Sequence, residues 1–456
     1  MTARIAVIGG GLAGAEAAWQ IATLAGARAS VDLFEMRPAV STPAHKTHFL
    51  AELVCSNSLK TESPDSPAGL LKQELHDCGS LILRAAVASR VPAGKALAVD
   101  RDAFAKAVTD AVEGLGAVKI IRQEVDRIPD GYDQVIVATG PLTSPAMAAS
   151  LSALAGGESL YFYDAIAPIV EAASVDMSIA FFQDRYSPPG EGDYLNLPMD
   201  RGEYETFVEA LLAAEKTAFR DFEKEYYFEG CLPIEEIAAR GKESLAFGPL
   251  KPVGLENPAT GRRPYAAVQL RKEDAAGYSY NLVGFQTKLK IAGQERVFRT
   301  IPGLANAVFL RHGSLHRNTY LDSPKALDGA LRLRAMPTVR LAGQITGVEG
   351  YLESAACGLL AGIFTAGEIL NLPVPPPSPL TALGALLGHL GRAPLGPRFQ
   401  PANMNMALFP PPENPARDKK ERRRQTLQNA REEMSSWLTS HSALFSGRTD
   451  LPSGIR

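Results

Sequence analysis

The chain opens on an apolar run, Ile5-Ala6-Val7-Ile8, closed by glycines and followed by Ala15, Ala18, Trp19 and Ala22 at helical spacing. The run predicts a buried strand, and the 3.6-residue period after it predicts a helix. Ser30-Val31-Asp32-Leu33-Phe34-Glu35 predicts a second strand ending in an acid. A helix is expected over Gly69–Ala88, with Leu70, Leu71, Leu75, Leu81 and Ile82 interleaved with polar groups, and Val91-Pro92-Ala93-Gly94 breaks it. Phe49–Leu59 reads as helical or mixed. Asp100 can cap a further helix through Phe104, Val108 and Val112, which Gly114 and Gly116 end. Val118–Val125 and Tyr132–Gly140 complete the strand pattern of this part.

The texture changes near residue 160. From there to about 303 the chain is richer in Tyr, Phe, Pro and short strands, among them Phe181-Phe182, Tyr194-Leu195-Asn196 and Tyr278–Phe285, with one helical run over Glu203–Tyr226. This is the pattern of an inserted α+β domain. The last third returns to the first texture: a strand Val339–Gly343, a glycine turn Gln344–Gly350 and a small-residue helix Tyr351–Leu370. A proline-rich linker, Pro373–Pro379, leads to Leu380–Leu390 and then to a basic cluster of Arg417, Lys419, Lys420, Arg422, Arg423 and Arg424. The expected organisation is therefore 1–159, an insertion at 160–303, and a return segment at 304–456.

The glycines carry the first chemistry. Gly9, Gly11 and Gly14 form G-x-G-x-x-G between a strand and a helix, with Glu35 about 20 residues on. Gly9 serves the tight turn, Gly11 the approach of a pyrophosphate, and Gly14 the close packing of helix on strand. The helix N-terminus offers N–H groups to phosphate, and Glu35 can accept from ribose hydroxyls. Ala138-Thr139-Gly140 is an ending common in flavoproteins of the two-dinucleotide-binding type. The late strand, glycine turn and helix around Gly343, Gly347 and Gly350 then suggest a flavin rather than a nicotinamide alone. The fold expected is α/β, a Rossmann-type FAD-binding domain with an inserted α+β domain.

Composition narrows the rest. Among 456 residues the formal net charge is −3, so any nucleic-acid contact rests on local basic patches such as Arg262-Arg263 and the tail cluster. There is no leader pattern at the start and no apolar run that approaches a membrane span, so a cytoplasmic location is expected. The four cysteines, Cys55, Cys78, Cys231 and Cys357, are far apart and form no C-x-x-C, which suggests neither a metal site nor a disulfide framework. Cys231 precedes Pro233 and is flanked by Glu229, Glu235 and Glu236, acids that would not lower a thiol pKa. Cys55 sits in Ser56-Asn57-Ser58, a polar setting unlike that of a core cysteine.

With these landmarks the chain resembles the folate- and flavin-dependent tRNA uracil-5-methyltransferases, which act on uridine 54 of the T-loop. The resemblance runs over Gly9-Gly10-Gly11-Leu12-Ala13-Gly14, Leu33-Phe34-Glu35-Met36-Arg37-Pro38, Thr42-Pro43-Ala44-His45 and Leu53-Val54-Cys55-Ser56-Asn57-Ser58-Leu59. It continues through Val91–Gly94, Ala138–Thr143, Phe228-Glu229-Gly230-Cys231-Leu232-Pro233, Phe247–Leu255, His316-Arg317-Asn318-Thr319-Tyr320 and Gly343–Ala356. Cys78 and Cys357 fall in no family motif, and Phe399–Met406 is a loose version of the family's ending. The resemblance implies bound FAD, reduction by NAD(P)H, 5,10-methylenetetrahydrofolate as carbon donor, tRNA as substrate, and neither metal nor membrane. Rare members act on ribosomal RNA.

Uracil C5 is a poor nucleophile until a thiolate adds at C6, which is covalent catalysis. The resemblance implies that role for Cys231, and for Cys55 a place beside the flavin, as base for the C5 proton or in handling the one-carbon unit. His45 and Lys46 are then read as lining the flavin ring and His316 as a candidate pterin stack, each equally at home as a packing residue. Two other classes stand beside this reading: a small-molecule flavin oxidoreductase, which leaves the Cys231 segment unexplained, and an RNA-binding module holding FAD for structure, for which no common RNA-binding motif is present.

Overall fold

A computed structural model describes residues 2–42, 44–156, 160–217, 232–392 and 399–446, apart from the side chains of Leu160, Phe162, His316 and Arg317. The first strand is Ala3–Ile8, and its apolar run is wholly buried because it has parallel neighbours on both sides, Ala29–Phe34 and Gln134–Val137. Strands 118–121 and 336–341 extend this parallel sheet outward, and Arg332–Leu333 adds a short antiparallel edge. Chain order therefore reverses between Ala3–Ile8 and Gln134–Val137. In open α/β sheets the ligand crevice lies at the carboxyl ends of the strands at such a switch point. The glycine turn follows one of these two strands and Ala138-Thr139-Gly140 follows the other.

Two helices carry the small residues for a packing reason. Leu12–Ala25 lies against Tyr351–Ile369 so closely that a Cβ on Gly358 would stand 2.2 Å from the carbonyl oxygen of Ala13. Among the described residues only Tyr351–Ile369 is long and apolar enough to cross a membrane, and it is buried in the core. A long late helix, Lys419–Ser440, packs on the same core through Leu427, Ala430, Met434 and Trp437 and leaves its basic N-terminal residues exposed.

A second core lies inside the inserted region, around Leu197, Phe207, Val268, Leu282, Phe285 and Phe298. Its antiparallel sheet runs in the order 181–182, 195–199, 266–272, 279–282, 169–171 and 309–311. The last strand, Phe309–Arg311, lies beyond the expected boundary at 303, and Leu304 and Ala307 also belong to this core. A three-residue edge strand with Leu310 half exposed leaves no period to read. An antiparallel ribbon of Leu160–Ile166 and Ser314–Tyr320 carries the chain out of the first core and back.

Other expectations change in detail. Gly69–Ala88 is two helices, Pro67–Asp77 and Leu81–Ala88. Ser80 caps the second, and the buried carboxylate of Glu16 accepts from Ser80 Oγ and from the N–H of Ile82, so the break is stabilised by a residue 64 positions away. Phe49–Leu59 is irregular until the short strand Ser58–Thr61. The run expected over Glu203–Tyr226 is a helix over Arg201–Ala213, and 218–231 lie outside the described residues.

Candidate active site

A cleft of about 1020 Å³ opens at the switch point. Of the residues expected to hold a cofactor, Gly9, Gly11, Leu12, Ala13, Glu35, Arg37, His45, Gly140 and Gly343 line it. Gly9 has φ +103°, and a Cβ there would meet the Ala138 carbonyl oxygen at 2.5 Å. A Cβ on Gly14 would stand 1.8 Å from the Gly9 carbonyl oxygen, whereas one on Gly11 would meet no atom of the described residues within 4 Å. Gly11 is thus the position that is open toward the cleft, and Gly14 is the packing contact behind it.

Gly10 also lies behind the turn and donates its N–H to Glu35 Oε2 at 2.9 Å. The other oxygen of Glu35 accepts from Arg37 Nε at 2.8 Å and from the Arg37 N–H. Arg37 reaches Glu52 as well, at 2.9 Å, and Thr42 Oγ1 sits 2.6 Å from His45 Nδ1. Two expected cofactor residues lie elsewhere. A Cβ on Gly347 would strike the ring of Phe399, so this glycine serves packing, and Gly350 lines a second cavity. Pro43 lies outside the described residues.

Burial opposes ionisation of Glu35, but the hydrogen bond and charge of Arg37 and the N–H groups of Arg37 and Gly10 outweigh it and hold the carboxyl below its ordinary value of 4.5. Its contribution to stability is therefore complete above that value and lost as the pH falls through the lowered pKa. In Glu35→Gln the acid limb of a melting-temperature profile should be shallower than in the parent. An unchanged limb would show that Glu35 is not linked to folding.

The second cavity, about 930 Å³, shares Val54, Pro141, Leu142, Gln344 and Tyr351 with the first. It is also lined by Cys55, Lys60, Asp164, Asn318, Glu349 and Gly350. The Cys55 thiol donates toward the Ala165 carbonyl oxygen, with sulfur and oxygen 3.9 Å apart, and burial and the charge of Asp164 push its pKa up while Arg101 and Arg311 pull it down. Tyr351 Oη accepts from the N–H groups of Cys55 and Ser56 at 2.8 and 3.2 Å. Glu349 is raised well above 4.5 by burial and by the charges of Asp164 and Glu353, so a proton is held at this end of the cavity. Lys60 pairs with the buried Glu353 at 2.6 Å.

Cys231 lies outside the described residues. Two acids beside it in sequence are engaged elsewhere: Glu235 accepts from Thr287 Oγ1 and the Lys288 N–H, and Glu236 pairs with Lys288 Nζ. The His316 side chain is likewise outside the description, and its backbone pairs with Asp164 across the ribbon. Sequence reasoning missed Arg101, Asp164, Arg271, Arg311, Glu349 and Tyr351 as site residues. Only Glu349 and Tyr351, beside the late glycine turn, carried a local signal.

A dinucleotide of the FAD type fits this cleft. The helices Leu12–Ala25 and Tyr351–Ile369 both begin at it, and their N-cap residues Gly11 and Gly350 supply no side-chain acceptor, which leaves N–H groups for an anionic ligand. The fold and the cleft define the class: an α/β protein with an FAD-binding Rossmann-type domain and an inserted domain. A solved structure of GidA from Aquifex aeolicus (form II crystal) shares the fold with a TM-score of 0.68 at 16% identity, covering 98% of this chain and 75% of that one.

The family model described as glucose inhibited division protein A matches residues 4–373. The protein named methylenetetrahydrofolate--tRNA-(uracil-5-)-methyltransferase TrmFO is 54% identical over 443 residues in Rhizorhabdus wittichii, covering 96% of this chain and 98% of the relative. Its namesake in Paramagnetospirillum magneticum is 54% identical over 448 residues (96% and 99%), and that in Moorella thermoacetica is 55% identical over 428 (93% and 96%). The chain belongs to the glucose inhibited division protein A family and, within it, to the folate-dependent tRNA uracil-5-methyltransferases.

Proposed function

We propose that this chain transfers a one-carbon unit from 5,10-methylenetetrahydrofolate to C5 of uridine 54 in tRNA and reduces it to a methyl, in the cytoplasm, with FAD bound in the switch-point cleft and NAD(P)H as reductant. The observation that carries this is the position of Cys55, in a cavity that shares a wall with the dinucleotide cleft, in a chain 54% identical over 96% of its length to relatives named for that reaction.

In this reading Gly11, Leu12 and Ala13 hold the pyrophosphate, Glu35 faces a ribose, and Gly343, Gln344 and Tyr351 meet the flavin end. When bound, FAD supplies the hydride equivalents that turn a methylene into a methyl. The second cavity takes the uracil and the pterin, and Asp164, Asn318 and Glu349 offer hydrogen-bonding groups to their ring edges. Cys231, from the inserted domain, adds to C6. Cys55 takes the C5 proton as a thiolate, and the Tyr351 hydroxyl fixes its backbone. A C6 nucleophile and a C5 base must both reach one ring, so the uracil is held between the two domains.

The test is to incubate holoenzyme with an unmodified tRNA transcript, NAD(P)H and carbon-labelled methylenetetrahydrofolate, with a ribosomal RNA arm in parallel. Labelled 5-methyluridine at position 54 is expected. 5-Methyluridine formed without the label, or label appearing in the ribosomal arm alone, would overturn the donor or the substrate respectively.

A further inference from the structure

The loop that carries Cys55 is held from both domains. From the first, Arg101 donates to the carbonyls of Leu53 and Cys55, and its charge is matched by Glu273 at 2.5 Å. From the inserted sheet, Arg271 donates to Asn57 Oδ1 at 2.9 Å and to Ser56 Oγ at 2.8 Å. Arg311, on the edge strand Phe309–Arg311, donates to the same Cys55 carbonyl at 2.9 Å and to that of Val54 at 3.3 Å.

Arg311 is the odd member of this set. Its Nε is buried without a hydrogen-bond partner among the described residues. Burial and the like charge of Arg101 push its pKa down to about 10, so the protein bears a cost for keeping a cation there. Holding two carbonyls needs only N–H donors, and a neutral side chain would do that without the cost. Of the two acids that line the cavity with Cys55, Asp164 disfavours negative charge on the thiol and Glu349 keeps its proton, while Lys60 on the same wall is paired with Glu353. Tyr351 and Arg101 approach the thiol from the flavin-domain side, and Glu273 is engaged with Arg101.

We propose that Arg311 is the positioning residue for Cys55, a cation supplied by the inserted domain that fixes the loop carbonyls and offsets the negative charge of the thiol when it ionises. The reactivity of a cysteine in the flavin domain thereby depends on the docking of the inserted domain. This rests on Cys55 being a reacting group. The test uses neither tRNA nor folate, so its failure is separate from a failure of methylation.

The test is the pH profile of Cys55 alkylation by iodoacetamide in the holoenzyme, read on the Cys55 peptide by mass spectrometry, with flavin absorbance as the check on folding. In Arg311→Gln the midpoint should rise by about one pH unit, a roughly tenfold slower alkylation below it. Arg311→Lys, which keeps the charge but not the bidentate reach, should stay within about half a unit of the parent. An unchanged profile in Arg311→Gln, or faster alkylation as from a loosened loop, would overturn the proposal. If Arg311→Gln does not retain flavin, Arg311→Lys decides alone: a midpoint held near the parent's supports the charge role, and one raised by about a unit or more refutes it.

Discussion

Cys231→Ala should abolish both methylation and the covalent adduct with 5-fluorouridine-containing tRNA, whereas Cys55→Ala should abolish methylation but keep FAD, tRNA binding and the adduct. The division follows from the order of the chemistry. C5 cannot attack until a thiolate has added at C6, so losing that nucleophile removes the adduct and everything after it. The C5 proton leaves only after the carbon–carbon bond has formed, so losing the base stalls a later step. General-base removal costs about 10²–10⁴-fold in rate. Cys55 is suited to the later step because it lines the cavity next to the dinucleotide cleft; burial and the nearby Asp164 hold its thiol protonated at rest, so it must give up that proton before it can accept the one from C5. Its removal leaves the lining of the dinucleotide cleft intact, since Cys55 is not part of it. Denaturing gels of the adduct and labelled-methyl counting check both arms. An adduct that survives Cys231→Ala but disappears in Cys55→Ala would reverse the roles.

Gly11→Val should give a folded, colourless protein, and Gly14→Val no folded protein at all. A Cβ at Gly11 meets no atom of the described residues within 4 Å, so the fold tolerates it and the loss falls on the pyrophosphate, whose approach it blocks. At Gly14 the added Cβ would overlap the Gly9 carbonyl oxygen at 1.8 Å. The Cβ position is fixed by the backbone of the first helix and the atom it meets is backbone in the turn before it, so no rotamer relieves the overlap. The expected cost is more than about 4 kcal/mol, the range of severe point substitutions and a large part of a typical domain's stability. Soluble yield, thermal melting and flavin absorbance of the two variants give the answer. A yellow Gly11→Val protein would mean the pyrophosphate lies elsewhere, and a stable Gly14→Val protein would contradict the packing.

Sequence alone determined the elements whose signal is local. Strand, glycine turn and helix at 5–25, and again at 339–369, are set by residues within about ten positions of each other, where hydrophobic period and glycine spacing act directly on the backbone. Glu35 stands out as a candidate for the same reason, through the strand end that holds it, and the polar run around Cys55 sets it apart from a core cysteine, its role beside the flavin being what the family resemblance implies. A glycine by itself does not say what it makes room for, and so Gly347, which makes room for Phe399, was read with Gly343. Tertiary structure decided the rest. Arg311 meets the Cys55 carbonyl across 256 positions, and Arg271 meets Ser56 across 215. Asp164 and Glu349 come together only because the ribbon folds back beside the late helix. Nothing in the residues around Arg311 marks it out, since it ends a half-exposed three-residue strand. Its partners are backbone carbonyls, which every residue carries, and so the contact leaves no trace in the identity of either partner.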